Sequence, residues 1–424
     1  MGILTVHLSF IALHYKSILK LAEDPRNIRI KDYIYELPGD RIAPYPLEER
    51  DASKLLIYRG GNIEKDIFRN LSTYLESGDL LVYNQTRVIR ARLLFRKATG
   101  APVEIFCLEP QQPSDYESNF ASREPVEWLC MVGNRKKWKS GRLVMEIAHR
   151  GRPFSLYAEQ TRKSGSESLL RFSWDNKHLT FSEVLDLAGH MPVPPYLKRE
   201  DEDIDKIRYQ TVYSKEEGSV AAPTAGLHFT EKVLSELNRK GIGTAALTLH
   251  VGAGTFVPVK SETAGGHDMH IEHFRVGRDT LKNICGRRVI AVGTTSLRSL
   301  ESLYWIGHRI YTGSIRPGEE ILLEQWYPYD NQSDLTVEKS LQLILEYMDD
   351  MHMDHIEART GIIIVPGYRM KIVQGLLTNY HLPGSTLLLL VAAFTGGDWK
   401  RIYEYSLEND FRFLSYGDSS LLLP

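Results

Sequence analysis

Three histidines, His228, His250 and His381, stand where an apolar run gives way to a polar loop, the position from which a side chain can reach a bound molecule. A neutral imidazole can give or take a proton near pH 7. In GSVAAPTAGLHFTEKVLSELNRKGI, the spacing of Val233, Leu234 and Leu237 predicts a helix that stops at Lys240 and Gly241. Thr224, Gly226 and His228 then lie where a loop enters that helix. In RRVIAVGTTSLRSLESLYW, the apolar run ends at Gly293, Thr294, Thr295 and Ser296 open a helix, and Arg298 falls in its first turn. Free N–H groups at a helix start suit a carboxylate or a phosphate. In GLLTNYHLPGSTLLLLVAAFTGG, Asn379, His381, Ser385 and Thr386 separate a strand from a strongly apolar helix.

Ligands of open α/β sheets collect at the carboxyl ends of strands, so these loops are expected to converge on one pocket. A plainer reading stands beside this one: each Thr or Ser caps a helix for about 1 kcal/mol, and the histidines satisfy loop carbonyls. TLHVGAGTFVPV places His250 at a strand end, with Gly252 and Gly254 where the backbone turns tightly. Its G-x-G has neither the third glycine nor the following helix of a dinucleotide fingerprint. No G-x-x-x-x-G-K-[ST] occurs, which disfavours nucleoside-triphosphate hydrolysis. HDMHIEH spaces His267, His270 and His273 by threes, but no second cluster completes a metal site, and none is expected.

The elements that must position these loops fall into two textures. From Asp79 to Trp174, short β-rich runs separated by Gly, Pro and Ser turns (DLLVYN, VEIFCLE, EWLCMVG, RLVMEI, LLRFSW) predict a small inserted β-barrel domain. From Leu179 onward, strands feed helices. The expected fold is therefore α/β: a layered α/β main domain over 27–78 and 179–424, with the barrel domain over 79–178 and an unmatched extension over 1–26. That extension is apolar in part, but His7, His14, Lys16 and Lys20 interrupt it and make it too polar to span a membrane. Three widely spaced cysteines and no C-x-x-C argue for a reducing compartment, so a cytoplasmic protein is expected.

A net charge of -2 excludes a globally basic surface, so a nucleic acid would have to be met by a local patch. NRKKWKSGR, between two predicted barrel strands, offers one. Arg135, Lys136, Lys137, Lys139 and Arg142 could grip phosphates while Trp138 stacks on a base. Basic hairpin tips also serve simply as soluble edges.

Several long stretches resemble the S-adenosylmethionine:tRNA ribosyltransferase-isomerase family of queuosine biosynthesis: IAPYPLEERDASKLL, GDLLVYNQTRVIRARL, GHMPVPPYLKREDEDIDKIRYQTVYS, GSVAAPTAGLHFTE, TLHVGAGTFVPV, VIAVGTTSLRSLES, LLTNYHLPGSTLLLLVAAF and RFLSYGDSSLL. They run in the family's order from about Asn27 onward, with expansions near Gln111 to Glu124 and Arg316 to Gln332. The resemblance implies transfer and isomerisation of the ribosyl part of S-adenosylmethionine onto 7-aminomethyl-7-deazaguanine at the tRNA wobble position. Epoxyqueuosine-tRNA, adenine and methionine would be released. It implies no metal and no cofactor beyond S-adenosylmethionine as donor, and the tRNA anticodon stem-loop as partner; no membrane partner is expected, and a monomer is the working expectation although the sequence itself is silent on oligomeric state.

Under that resemblance His228 is the expected acid or base near the reacting ribose, with His250 and His381 as alternates. Thr294, Thr295 and Arg298 would anchor the methionine carboxylate, with Thr224, Gly226 and Asn379 around the substrate. Tyr196, Arg208, Tyr209 and Gln210 would hold the deazaguanine or adenine by stacking and edge hydrogen bonds. The chain departs from the family at Arg90 (usually proline), Gly361 (usually aspartate) and Gly384 (commonly lysine). Two other readings stay open: a tRNA-binding relative that has lost the chemistry, and a family member acting on a different RNA base.

Overall fold

The computed structural model describes residues 24–97, 99–133, 138, 141–164, 167–252 and 259–424. Its frame is a ten-stranded mixed sheet. In spatial order the strands are Leu322–Leu323, His355–Thr360, Glu272–Gly277, Gly243–His250, Leu80–Asn84, Val289–Val292, Val373–Asn379, Ser419–Leu423, Lys54–Arg59 and Asn62–Ile67. The four in the middle, from Gly243–His250 to Val373–Asn379, pair in parallel. Strands buried on both faces read as continuous apolar runs, and Val289–Val292 is buried at every position.

The two-residue side-chain period divides these strands between two cores. Val82, Ala291 and Leu376 face a layer that includes Leu297, Leu300 and Tyr304 of helix Thr294–Tyr311 and Leu341 and Ile344 of helix Val337–Asp350. Leu81, Ile290 and Leu377 face the opposite way, against Phe68, Phe229, Val233 and Leu237.

The second unit is a closed barrel of six strands, in order Glu167–Trp174, Val126–Val132, Pro102–Gln112, Arg92–Arg96, Leu143–Ile147 and Phe154–Ser164. Alternating burial along Val126–Val132 and Glu167–Trp174 fills the barrel with one face of each strand. An α/β domain carrying a β-barrel is the architecture expected from the sequence.

The point of insertion differs. DLLVYN, expected in the barrel, supplies Leu80–Asn84 at the centre of the large sheet. A short apolar run bounded by turns fits either place, and only the tertiary pairing decides. The chain leaves the main unit through Thr86–Val88, which pairs in parallel with Glu216–Ser219. It closes its excursion at the Arg92–His190 bridge, and helix Phe181–Ala188 packs Phe181, Val184 and Leu185 into the barrel core.

Trp138 is a second correction. Its indole is buried in the barrel core, and Nε1 donates to the Gly141 carbonyl at 3.0 Å, so it cannot stack on a base. Excluding about 200 Å² of aromatic surface from water outweighs the pull of its charged neighbours. Arg135, Lys136, Lys137 and Lys139 lie outside the described residues. Arg142 is half-exposed, covers the Tyr157 ring at 3.5 Å and pairs with Glu159 at 3.2 Å.

Candidate active site

The four parallel strands end on one edge of the sheet, at His250, Asn84, Val292 and Asn379. Strand Ser419–Leu423 runs antiparallel to its neighbour, with Ser419 opposite Asn379, so the segment before it reaches the same edge. A cleft opens there. Thr224 lines it from the first loop, Thr294 and Thr295 from the second, and Asn379 and His381 from the third, while Tyr196 and Ser415 close one side. The three loops, remote in sequence, do meet.

Helix Thr294–Tyr311 begins at this cleft with no side-chain cap. Gly293, at φ 93° and ψ 149°, turns the strand into the helix through a conformation open essentially to glycine alone. The first N–H groups of the helix therefore carry their positive partial charge at the cleft without a capping oxygen of their own chain. Ser296 Oγ, fully buried beside them, has no hydrogen-bond partner. Ser385 follows the plainer reading: it caps its helix, accepting from Leu388 N at 3.2 Å.

Asn379 Nδ2 donates to the Leu414 carbonyl at 3.0 Å, which fixes the amide and leaves Oδ1 buried without a partner. Behind it lies His228. Ser53 Oγ and His228 Nδ1 are 2.7 Å apart, Nε2 is buried without a partner, and Asn379 is close enough to favour a proton on the ring. Burial dominates nonetheless and pushes the His228 pKa down to about 4. His381 sits on the cleft wall with Nε2 3.1 Å from Thr378 Oγ1, and burial lowers its pKa to about 3. Both rings are neutral at pH 7.

Other expected site residues are spent elsewhere. His250 ends its strand but turns toward the barrel and stacks on Tyr116, with ring centroids 3.7 Å apart and planes 7° apart. It lines a separate cavity between barrel and sheet, and burial lowers its pKa to about 4. Arg298 points back from its helix into a buried pair with Glu272 at 3.1 Å, so it is not available to a donor carboxylate. The Gln210 amide bonds Val88 in both directions, at 2.9 and 2.7 Å. Tyr209 is fully buried against Tyr416. Gly226 lies so close under Tyr213 that a Cβ would come within 2.1 Å of the phenol oxygen, which makes it a packing position. Arg208 binds the Leu47 and Glu48 carbonyls beside a smaller cavity that includes His228.

Of the departures from the family pattern, Arg90 binds Asp186 on helix Phe181–Ala188, and Gly361 faces Leu323 and Ile271. Neither they nor Gly384 line the cleft. Ser53 and Ser415 carry no signal of their own in the sequence. They come from segments more than 350 residues apart, and no local pattern marks a serine that meets a distant histidine. Among the described residues, no group of three or more His, Cys, Asp or Glu is placed to hold a metal ion.

The three buried rings make the fold acid-sensitive. Between pH 6.5 and about 4 the unfolded chain takes up protons that the folded chain refuses, so stability is present above 6.5 and falls as pH drops through that window. Each ring contributes at most about 1 kcal/mol per pH unit to the slope, and His381, with the most depressed pKa, contributes over the widest range. Chemical denaturation from pH 7 to 4.5 should show this fall, and His381→Gln should flatten it. An undiminished fall after all three rings are replaced would contradict the assignment.

The queuosine biosynthesis protein family model matches residues 30–422. An S-adenosylmethionine:tRNA ribosyltransferase-isomerase of Caldanaerobacter subterraneus subsp. tengcongensis is 39% identical over 401 residues, covering 92% of this chain and 99% of that one. The protein of the same name from Halothermothrix orenii is 37% identical over 405 residues, covering 93% and 100%. A crystal structure of S-adenosylmethionine tRNA ribosyltransferase from Thermotoga maritima is 27% identical, with a TM-score of 0.43, covering 92% of this chain and all of that one.

Proposed function

Since this chain belongs to the queuosine biosynthesis family of S-adenosylmethionine:tRNA ribosyltransferase-isomerases, we propose that its cleft carries out that reaction on a deazaguanine in tRNA. S-adenosylmethionine donates the ribosyl unit and 7-aminomethyl-7-deazaguanine at the wobble position accepts it. Epoxyqueuosine-tRNA, adenine and methionine leave. The reading calls for no further cofactor and for a monomer working in the cytoplasm. No helix among the described residues is long and apolar enough to cross a membrane.

The observation that carries this reading is an uncapped helix start opening on the cleft whose wall holds the neutral imidazole of His381, with a second neutral imidazole, His228, buried behind Asn379. The methionine carboxylate binds at Thr294 and Thr295, where N–H groups and hydroxyls converge. The acceptor amine must lose a proton before it attacks carbon, and adenine leaves more readily once protonated. His228 and His381 lie where those protons move. Their depressed pKa values suit hydrogen-bond donation and brief proton carriage rather than storage of charge. Desolvation in this cleft strengthens each polar contact to the transition state.

Nucleoside analysis of tRNA incubated with the protein and S-adenosylmethionine tests the reading. Gain of the epoxycyclopentane unit on the aminomethyl-deazaguanine supports it. Binding of that tRNA without adenine release points to a relative without the chemistry, and modification of another base only points to a changed acceptor.

A further inference from the structure

Beside the cleft, and joined to it through Ser415, lies a small niche walled by Arg50, Arg208, Arg412, His228 and the 415–417 turn. Its charge is not balanced. Arg412 is paired with Asp418 at 3.3 Å. Arg50 and Arg208 have no carboxylate partner among the described residues and are held by main-chain carbonyls alone. Arg50 donates to Gln210 and Ile207 at 2.8 Å and to Leu227 at 3.2 Å, and Arg208 donates to Leu47 at 2.6 Å and Glu48 at 3.0 Å. Burial lowers both guanidinium pKa values, and Arg208 lowers that of Arg50 further.

Two like charges fixed side by side oppose folding unless an anion offsets them. The three buried carboxylates of the neighbouring segments are already taken: Asp205 by Arg199 and Tyr416, Asp418 by Arg412, and Asp51 by Arg69 and Thr230. The buried Arg208 Nε in the same wall has no hydrogen-bond partner.

We propose that the Arg50–Arg208 niche is an oxyanion subsite that holds a backbone phosphate next to the nucleotide whose base enters the cleft. Phosphate rather than the donor carboxylate fits, because the niche is edged by the partly exposed Leu47, Arg50 and Arg208, whereas the uncapped helix start lies inside the cleft. A strand of RNA crossing this rim can seat a phosphate here and pass its base over Ser415. Planar guanidinium forks suit phosphate oxygens. The inference rests on the proposed reaction at the same site.

The test compares wild type with Arg50→Gln, Arg208→Gln and the charge-preserving Arg208→Lys. Binding of unmodified tRNA is titrated against salt, and Michaelis constants are measured for tRNA and for S-adenosylmethionine. Each Gln variant should bind tRNA about tenfold more weakly, with a salt slope shallower by about one, and Arg208→Lys should recover the slope. The S-adenosylmethionine constant should stay within twofold. A rise in that constant alone would assign the oxyanion to the donor carboxylate and overturn the phosphate reading. Unchanged slopes in folded variants, confirmed by melting temperature, would overturn the subsite altogether. The binding titration needs no turnover, so an inactive wild type would count against the proposed reaction and leave the niche separately decidable.

Discussion

His228→Ala is expected to lower turnover by about a hundredfold or more while leaving the affinity for S-adenosylmethionine within a few fold. The ring does not line the cleft; it stands behind Asn379, tethered through Nδ1 to Ser53 at 2.7 Å, with the Asn379 amide between it and the cleft. Truncation removes the group without disturbing the helix start that binds the donor. Ser53→Ala should give a smaller loss, because the ring remains but its tether is gone. His228→Gln should keep most of the packing against Phe68, 5.1 Å away, and little of the rate. Since burial places the ring's pKa near 4, the wild-type pH–rate profile should show no inflection from this group between pH 6 and 8. Full turnover in His228→Ala would remove the residue from the reaction.

Glu301→Ala should be the most destabilising single change near the site. Its carboxylate, fully buried on helix Thr294–Tyr311, accepts from Tyr368 Oη at 2.7 Å, Lys371 N at 2.8 Å, and Ile372 and Val373 N at 2.9 Å. Burial pushes its pKa up, and the four donors pull it back down. These bonds tie the helix that offers Thr294 and Thr295 to the strand that ends in Asn379. Removing the acceptor strands four buried donors, at about 1 kcal/mol or more each, so a loss above roughly 3 kcal/mol is expected in urea denaturation. Donor affinity should fall with it, because the two walls of the cleft lose their common anchor. A loss below 1 kcal/mol would show that water or a shifted side chain takes over the role.

The convergence of three loops was legible in the sequence because each is announced by a local pattern: an apolar run, a glycine or proline break, then helical spacing. Residues whose direction depends on tertiary partners were not. Arg298 sits in a helix first turn as expected, but Glu272, 26 positions earlier, draws it away from the cleft. His250 stands at its strand end, yet stacks on Tyr116 from the inserted barrel. Trp138, surrounded by charge in sequence, folds inward because the barrel interior is the nearest apolar refuge. Leu80–Asn84 could join barrel or sheet until its parallel neighbours were known. Arg50 carries no local signal in the sequence, since its meaning lies in the carboxylate it lacks.

The central claim is spatial: the donor binds where the uncapped helix start faces Asn379 and His381. The structure of the protein with S-adenosylmethionine bound tests this most directly. The account predicts the methionine carboxylate at Thr294 and Thr295 and the ribose within reach of Asn379 and His228. A donor lodged in the other large cavity, between Tyr116, His250 and Arg359, with Thr294 and Asn379 untouched, would contradict it.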